Sequence, residues 1–291
     1  MADQFALAAG GATATVSAAG AELLRWSAGG RDLLWRPDPR FWAQTCPILF
    51  PVVGRSTRDR VAVCGSLYPM PLHGFAARRP FQIVEAAADR VVLRLVDDAQ
   101  TRKLYPFSFM LDVTFRLQPI QLSVEFEVTN TGTATQPYAL GFHPGFARSA
   151  AACIVFEADE DPAVPEIAPG GLLSHRRRQV PLADRALAVA DSLLSQGALC
   201  FLDAKSRWLR LEQRDGSSIT LAAAGFRHWA VWGKPGAPFI CLEAWTGHAD
   251  FETDSGELAE RPSMRLLPPG GSAVHRLRMV AQSPRERFHG A

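Results

Sequence analysis

The stretch QLSVEFEVTN, residues 121–130, restricts the fold more than any other. Leu122, Val124, Phe126 and Val128 alternate with Ser123, Glu125, Glu127 and Thr129. Side chains along a strand point to opposite faces in turn, so this run makes one apolar face and one wet face. A helix would scatter the same residues around its circumference. FSFMLDVTFRL, residues 107–117, runs just ahead of it, and Pro119 lies between the two. The pair is predicted to be an antiparallel hairpin. Similar patterns predict strands over 82–96, 208–213, 218–223, 229–233, 239–244 and 273–280. TATVSAAGAELLRWSAGGRDLLW reads as two short strands around Gly-rich turns. One short helix is expected within 182–194, with Asp184 as its cap. Strands do not alternate with long helices, which argues against a parallel α/β sheet. The predicted class is all-β and mainly antiparallel, a sandwich of sheets with few short helices.

Hydrophobic residues make up 47% of the 291 and charged residues 21%, which supplies a large core and argues against disorder. No Gly/Ser linker or composition break divides the chain. One domain over 1–291 is expected, with its core over about 10–280 and a frayed charged tail at 283–291. A net charge of +2 provides no electrostatic footprint for nucleic acid. The run Arg176-Arg177-Arg178 reads as a solvated strand end or loop. The five cysteines are odd in number, widely spaced and without a C-x-x-C pair. That argues against a disulfide framework or a zinc cluster and for reduced thiols in a cytoplasm. MADQFALAAGG lacks the basic start of a signal peptide, and the uncharged runs are too weakly apolar to span a membrane.

Four segments concentrate unusual residues. PILFPVVGRSTRDR places Arg55, Arg58 and Arg60 after an apolar run. PMPLHGFAARRPF carries His73, Gly74 and Phe75. GFHPGF sets His143 between two phenylalanines and before Pro144. FICLEAWTG puts Glu243 late in an apolar strand, on the same face as Cys241 and Trp245. A carboxylate beside Leu242 and Trp245 is expected to be partly desolvated. Desolvation raises its pKa, as a base working near neutral pH requires. His73 and His143 both sit in loop-like Gly/Pro contexts, where binding residues gather. Pro144 biases the backbone of His143 toward an extended form. No H-x-H or HExxH spacing supports a metal site. Of the aromatics, Phe75 and Trp245 are candidates to stack on the apolar face of a sugar ring.

Taken in order, these segments resemble the aldose 1-epimerase (mutarotase) family, and most closely its bacterial LacX-type branch. The resemblance runs over roughly residues 10–280 and rests on GAELLRW, LLWRPDPRFW, PILFPVVGR, MPLHGFAARRPF, VTNTG, GFHPGF and WAVWGKPGAPFICLEAWTG. It implies a galactose-mutarotase-like β-supersandwich that works without a cofactor or metal and binds a small sugar, a hexose. It implies that Glu243 is the base at the anomeric hydroxyl and His143 the acid at the ring oxygen, on opposite sides of the bond that breaks. It also implies that His73 and Arg55 bind the sugar. An unperturbed histidine, with a pKa of about 6.5, suits the acid's task. Where the branch usually has Glu-Pro-Trp, this chain has Glu243-Ala244-Trp245. After Arg55 it lacks the asparagine common in galactose mutarotases. Two other readings stand beside this one. A hexose-6-phosphate 1-epimerase would clamp phosphate with Arg55, Arg58, Arg78 and Arg79. A non-catalytic carbohydrate-binding or sensor sandwich would not require a matched His and Glu.

Overall fold

The computed structural model describes residues 3–284. Part of the tail expected to fray, 285–291, lies outside them. The hairpin forms as the alternation predicts. Strand Phe109–Leu117 pairs antiparallel with Gln121–Asn130, Val113 opposite Phe126 and Phe115 opposite Val124. Gln118 and Gln121 close the turn around Pro119 through paired backbone hydrogen bonds.

This hairpin lies in a nine-stranded antiparallel sheet. On one side of it stand Ser272–Gln282, Ser218–Ala224, Trp208–Glu212, Cys153–Phe156 and Ala186–Ala188; on the other stand Arg90–Val96 and Gln82–Ala86. A second sheet of six strands runs through Leu199–Phe201, His228–Trp232, Phe239–Trp245, Gly141–Phe142 and Ile48–Leu49, with Gly145–Ala147 also paired to Phe239–Trp245. Four short strands near the N-terminus, Gln4–Ala9 to Arg31–Asp32, form a third sheet. The architecture is a β-supersandwich, as the resemblance implies.

One apolar cluster joins the sheets. Val113, Phe115, Val124 and Phe126 from the large sheet meet Phe142, Phe146, Ile240 and Leu242 from the six-stranded sheet, all essentially excluded from solvent. Removing such side chains from water stabilises by about 1.5–3 kcal/mol each, before the entropy of ordering is set against it. A second, smaller cluster lies on the far side of the six-stranded sheet and includes Leu49, Cys200, Ala230 and Trp245. The strand Phe239–Trp245 is therefore buried on both faces. That is why FICLEAW reads as an almost unbroken apolar run rather than an alternation.

The helix expected within 182–194 shrinks to one turn, Asp191–Leu194. Asp184 does not cap it; it stands at φ 48° in the turn before a short strand, Ala186–Ala188. That strand adds to the edge of the large sheet beside Cys153–Phe156. Pairing with an available edge outweighs a weak local helix preference.

Candidate active site

The site is built on the face of the six-stranded sheet that looks away from the main core. Phe239–Trp245 presents Cys241, Glu243 and Trp245 there. The segment GFHPGF is two short strand pieces, Gly141–Phe142 and Gly145–Ala147, with His143 and Pro144 between them. Phe142 stands opposite Ala244, and Gly145 opposite Cys241. The register is the same on both sides of the gap, so His143 faces Glu243 across the strands. Pro144 interrupts the ladder because it has no N–H to donate. Its carbonyl still accepts from the Leu242 N–H at 3.3 Å. Directly opposed side chains on one face are in contact range. His143 Nε2 lies 3.2 Å from Glu243 Oε1.

Glycines on either side leave room for the aromatic walls. A Cβ on Gly141 would stand 2.9 Å from the Trp245 ring, and one on Gly145 would stand 2.7 Å from the Trp42 ring. Trp42 stacks on the His143 imidazole, with centroids 5.0 Å apart and planes 28° apart. Trp232 meets the same imidazole edge-on at 5.6 Å. Trp245 Nε1 donates to Glu243 Oε2 at 3.1 Å. These side chains and His73 line a cavity of about 490 Å³, a size that suits a small organic ligand.

Burial governs the charges here. Glu243 is 1% exposed and His143 7%. Desolvation pushes the Glu243 carboxyl well above its ordinary value, against the opposing pull of the Trp245 hydrogen bond. Desolvation pushes the His143 imidazole well below its ordinary value, and His73 adds to this. Both shifts favour a neutral couple that holds one proton between Oε1 and Nε2. The expectation of a near-unperturbed acid at His143 is therefore replaced. His143 and Glu243 stand side by side, whereas the resemblance implies groups on opposite sides of the bond that breaks.

His73 lies at φ 62°. Its Nδ1 accepts from the Gly54 N–H at 3.0 Å, so the ring proton sits on Nε2. Burial, then the cations of Arg78 and Arg55, push its pKa down to about 4. The ring is neutral near pH 7 and meets the His143 ring edge-on at 5.9 Å. Cys200 also lines the cavity; burial and Glu243 push its thiol up to about 12, so it is inert wall rather than nucleophile.

The structure does not bring every candidate together. Trp245, His73, His143 and Glu243 converge. Phe75 does not: it is buried in the main core, packed against Phe50, Tyr105 and Phe109. Arg55 pairs with Asp59, and its Nε comes within 3.4 Å of where a Cβ on Gly171 would stand. Gly171 lines the cavity, whereas Arg55 does not. Of the four arginines considered for a phosphate clamp, Arg78 alone lines the cavity. Arg58 borders a separate cavity, and the Arg79 guanidinium lies over the Phe75 ring. Sequence reasoning missed Trp42 and Lys234, which do line the site. Neither lies in a periodic run, so no local signal marks them.

The sequence matches the aldose 1-epimerase family model over residues 3–279. It is 28% identical to LacX, plasmid form, of Lactococcus lactis subsp. lactis over 257 residues, covering 82% of this chain and 86% of that one. A galactose mutarotase-like protein of Lactobacillus casei has a solved structure that superposes with a TM-score of 0.89 at 25% identity, covering 96% of this chain and all of that one. A galactose mutarotase related enzyme of Lactobacillus acidophilus superposes at 0.90 and 23% identity, covering 98% and 99% of the two chains. With a family match spanning both sheets and the cavity between His73 and Glu243, this chain belongs to the aldose 1-epimerase family.

Proposed function

We propose that the protein is an aldose 1-epimerase that interconverts the α and β anomers of a free hexose. The observation that carries this is the 3.2 Å contact between His143 and Glu243 at the floor of an aromatic cavity. The hydroxyl oxygen and the ring oxygen of a cyclic sugar are both bonded to C1. An adjacent acid and base suit two oxygens on one carbon. Glu243, as carboxylate, takes the proton of the anomeric hydroxyl while His143, as imidazolium, gives its proton to the ring oxygen. The bond from C1 to the ring oxygen breaks and an open aldehyde forms. After rotation about the bond from C1 to C2, the freed hydroxyl attacks the other face of the carbonyl. It returns its proton to His143, and Glu243 returns its proton to the new anomeric hydroxyl. The protons balance over the cycle. The neutral couple and the charged one differ only by a proton moving between Oε1 and Nε2, so the resting pair can supply the charged form.

Trp42, Trp232 and Trp245 offer flat apolar walls for the ring, and His73 Nε2–H is a donor for a hydroxyl. The free cysteines, Cys46, Cys64, Cys153, Cys200 and Cys241, fit a reducing cytoplasm. A phosphorylated hexose is a second reading, favoured by Arg78 and Lys234 on the cavity wall. A panel of freshly dissolved α-glucose, α-galactose and glucose 6-phosphate, followed by polarimetry or by NMR exchange between anomers, tests both. Acceleration of a neutral hexose supports the first reading. Acceleration of the phosphorylated sugar alone supports the second, and no acceleration of any of them overturns both.

A further inference from the structure

The outer face of the nine-stranded sheet holds a second cavity, of about 670 Å³, which shares no lining residue with the first. Five arginines line it. Three are matched to carboxylates: Arg90 to Glu85, Arg207 to Glu157 and Arg276 to Glu125. Arg116 and Arg278 have no carboxylate partner among the described residues. These two stand on either side of one serine. Arg116 is opposite Ser123 on one strand pair, and Ser123 is opposite Arg278 on the next. Opposed residues share a face, so both guanidinium stems rise on the same side of the sheet. Their backbones are two strand spacings apart, about 9–10 Å. Two long side chains can close that gap on a single anion, with the Ser123 hydroxyl beneath it.

Beyond Arg116 the row continues to Arg90, which is paired with Glu85, and it runs further the other way. Arg278 is opposite Ala222, and Ala222 is opposite Trp208. Ala222 and Ala224 leave the floor low, and the half-buried Trp208 forms the far wall. From Ser123 to Trp208 is three strand spacings, about 14 Å. A hexose phosphate is too short to meet both ends. A nucleotide is long enough, with its phosphate at the arginines and its base at the indole. We propose that this face is a nucleotide-binding site, Arg116 and Arg278 taking the phosphate and Trp208 the base. Arg116 stands directly opposite Arg90; like charges so placed destabilise a sheet, and a bound phosphate offsets that repulsion through charge-assisted hydrogen bonds.

The test is calorimetric titration at low ionic strength with adenosine monophosphate, adenosine, inorganic phosphate and glucose 6-phosphate. The readout does not depend on any epimerase activity. Adenosine monophosphate is expected to bind more tightly than the other three. Arg116→Gln and Arg278→Gln should each weaken it roughly tenfold or more, and Trp208→Leu about tenfold. Glu243→Gln, on the other face, should leave it unchanged. Unfolding curves of the variants check that each is folded; the three positions are exposed or half-buried, so all are expected to be. Lack of binding by adenosine monophosphate overturns the proposal. So does affinity indifferent to both arginine changes, or loss of binding in Glu243→Gln. Glucose 6-phosphate binding as tightly as the nucleotide overturns the assignment of the base to Trp208.

Discussion

Two buried acid–base couples, Asp250 with Arg261 and His143 with Glu243, behave as opposites. Asp250 and Arg261 are 0% and 2% exposed at their side chains, with Asp250 Oδ1 2.5 Å from Arg261 Nε. His143 and Glu243 are nearly as deep. Burial lowers the Arg261 pKa, yet guanidinium starts so high that it stays charged. The couple's remaining bonds go to the loop that carries Arg55 and to the His248 carbonyl. Asp250 Oδ2 accepts from the Thr57 N–H at 2.7 Å, and Arg261 donates to Ser56 Oγ and to the His248 carbonyl, each at 3.2 Å. His143 and Glu243 can both become neutral. Outside the couple, Glu243 accepts from Trp245 Nε1–H alone among the described residues, and one side is open to a cavity. Burial alone does not distinguish a structural pair from a reactive one. What distinguishes them is whether the proton can move and whether the surroundings hold the charges or leave them free to act.

Four experiments break or sharpen this contrast. The largest effect is expected from Glu243→Gln. Its anomerisation rate, followed by polarimetry, should fall about 10²–10⁴-fold, while its unfolding midpoint stays within a few degrees of the parent. An undiminished rate removes Glu243 from the chemistry. Asp250→Asn should show the reverse pattern. It leaves Arg261 charged and buried without a counter-ion, a loss of about 3–5 kcal/mol in urea unfolding. A loss below about 1 kcal/mol would mean that the couple behaves like an exposed pair.

The third experiment is the pH profile. In the proposed mechanism the His143–Glu243 couple works with one proton, and its limbs belong to the couple rather than to either residue. With His143 depressed and Glu243 raised, the one-proton form is retained as the pH falls through about 6.5, the ordinary histidine value. The kcat/KM profile should be flat there. An acid limb centred near 6.5 would show an exposed, ordinary histidine and sink the neutral couple.

The smallest effect concerns a histidine with no part in the site. His275 is 3% exposed; its Nε2 meets the Tyr138 hydroxyl at 2.8 Å and its Nδ1 the Gly225 carbonyl at 3.0 Å. Burial lowers its pKa to about 4. Its stabilisation is complete above about pH 6.5 and is lost as the pH falls toward 4, because the unfolded chain binds a proton that the folded chain refuses. His228, lowered to about 3, acts in the same direction. Between about pH 7 and pH 5, His275 should account for roughly 2 kcal/mol of lost stability. His275→Gln should flatten the pH dependence of urea unfolding by that amount. An unchanged slope would mean that this ring titrates normally.

The alternation in residues 121–130 made the hairpin legible, because strand side chains alternate whatever the rest of the chain does. Phe239–Trp245 was legible as a buried strand for a related reason: both of its faces are covered. The helix near Asp184 was not legible, because an edge strand formed there through contacts with a distant segment. The identities of His143, His73 and Glu243 could be read from their motifs. The withdrawal of Phe75 into the core could not, since it depends on partners elsewhere in the chain, such as Tyr105 and Phe109.

By itself, the sequence determined the class of fold and the residue types available for proton transfer. Both follow from short-range rules: the two-residue period of a strand, the missing N–H of Pro144, the apolar setting of Glu243. Only the tertiary structure decided that His143 stands across from Glu243, that both are driven toward neutrality, and that Arg116 and Arg278 flank Ser123. Those facts depend on register between segments far apart in the chain. A slip of one residue would send every side chain to the other face, and no local pattern records which partner a strand will meet.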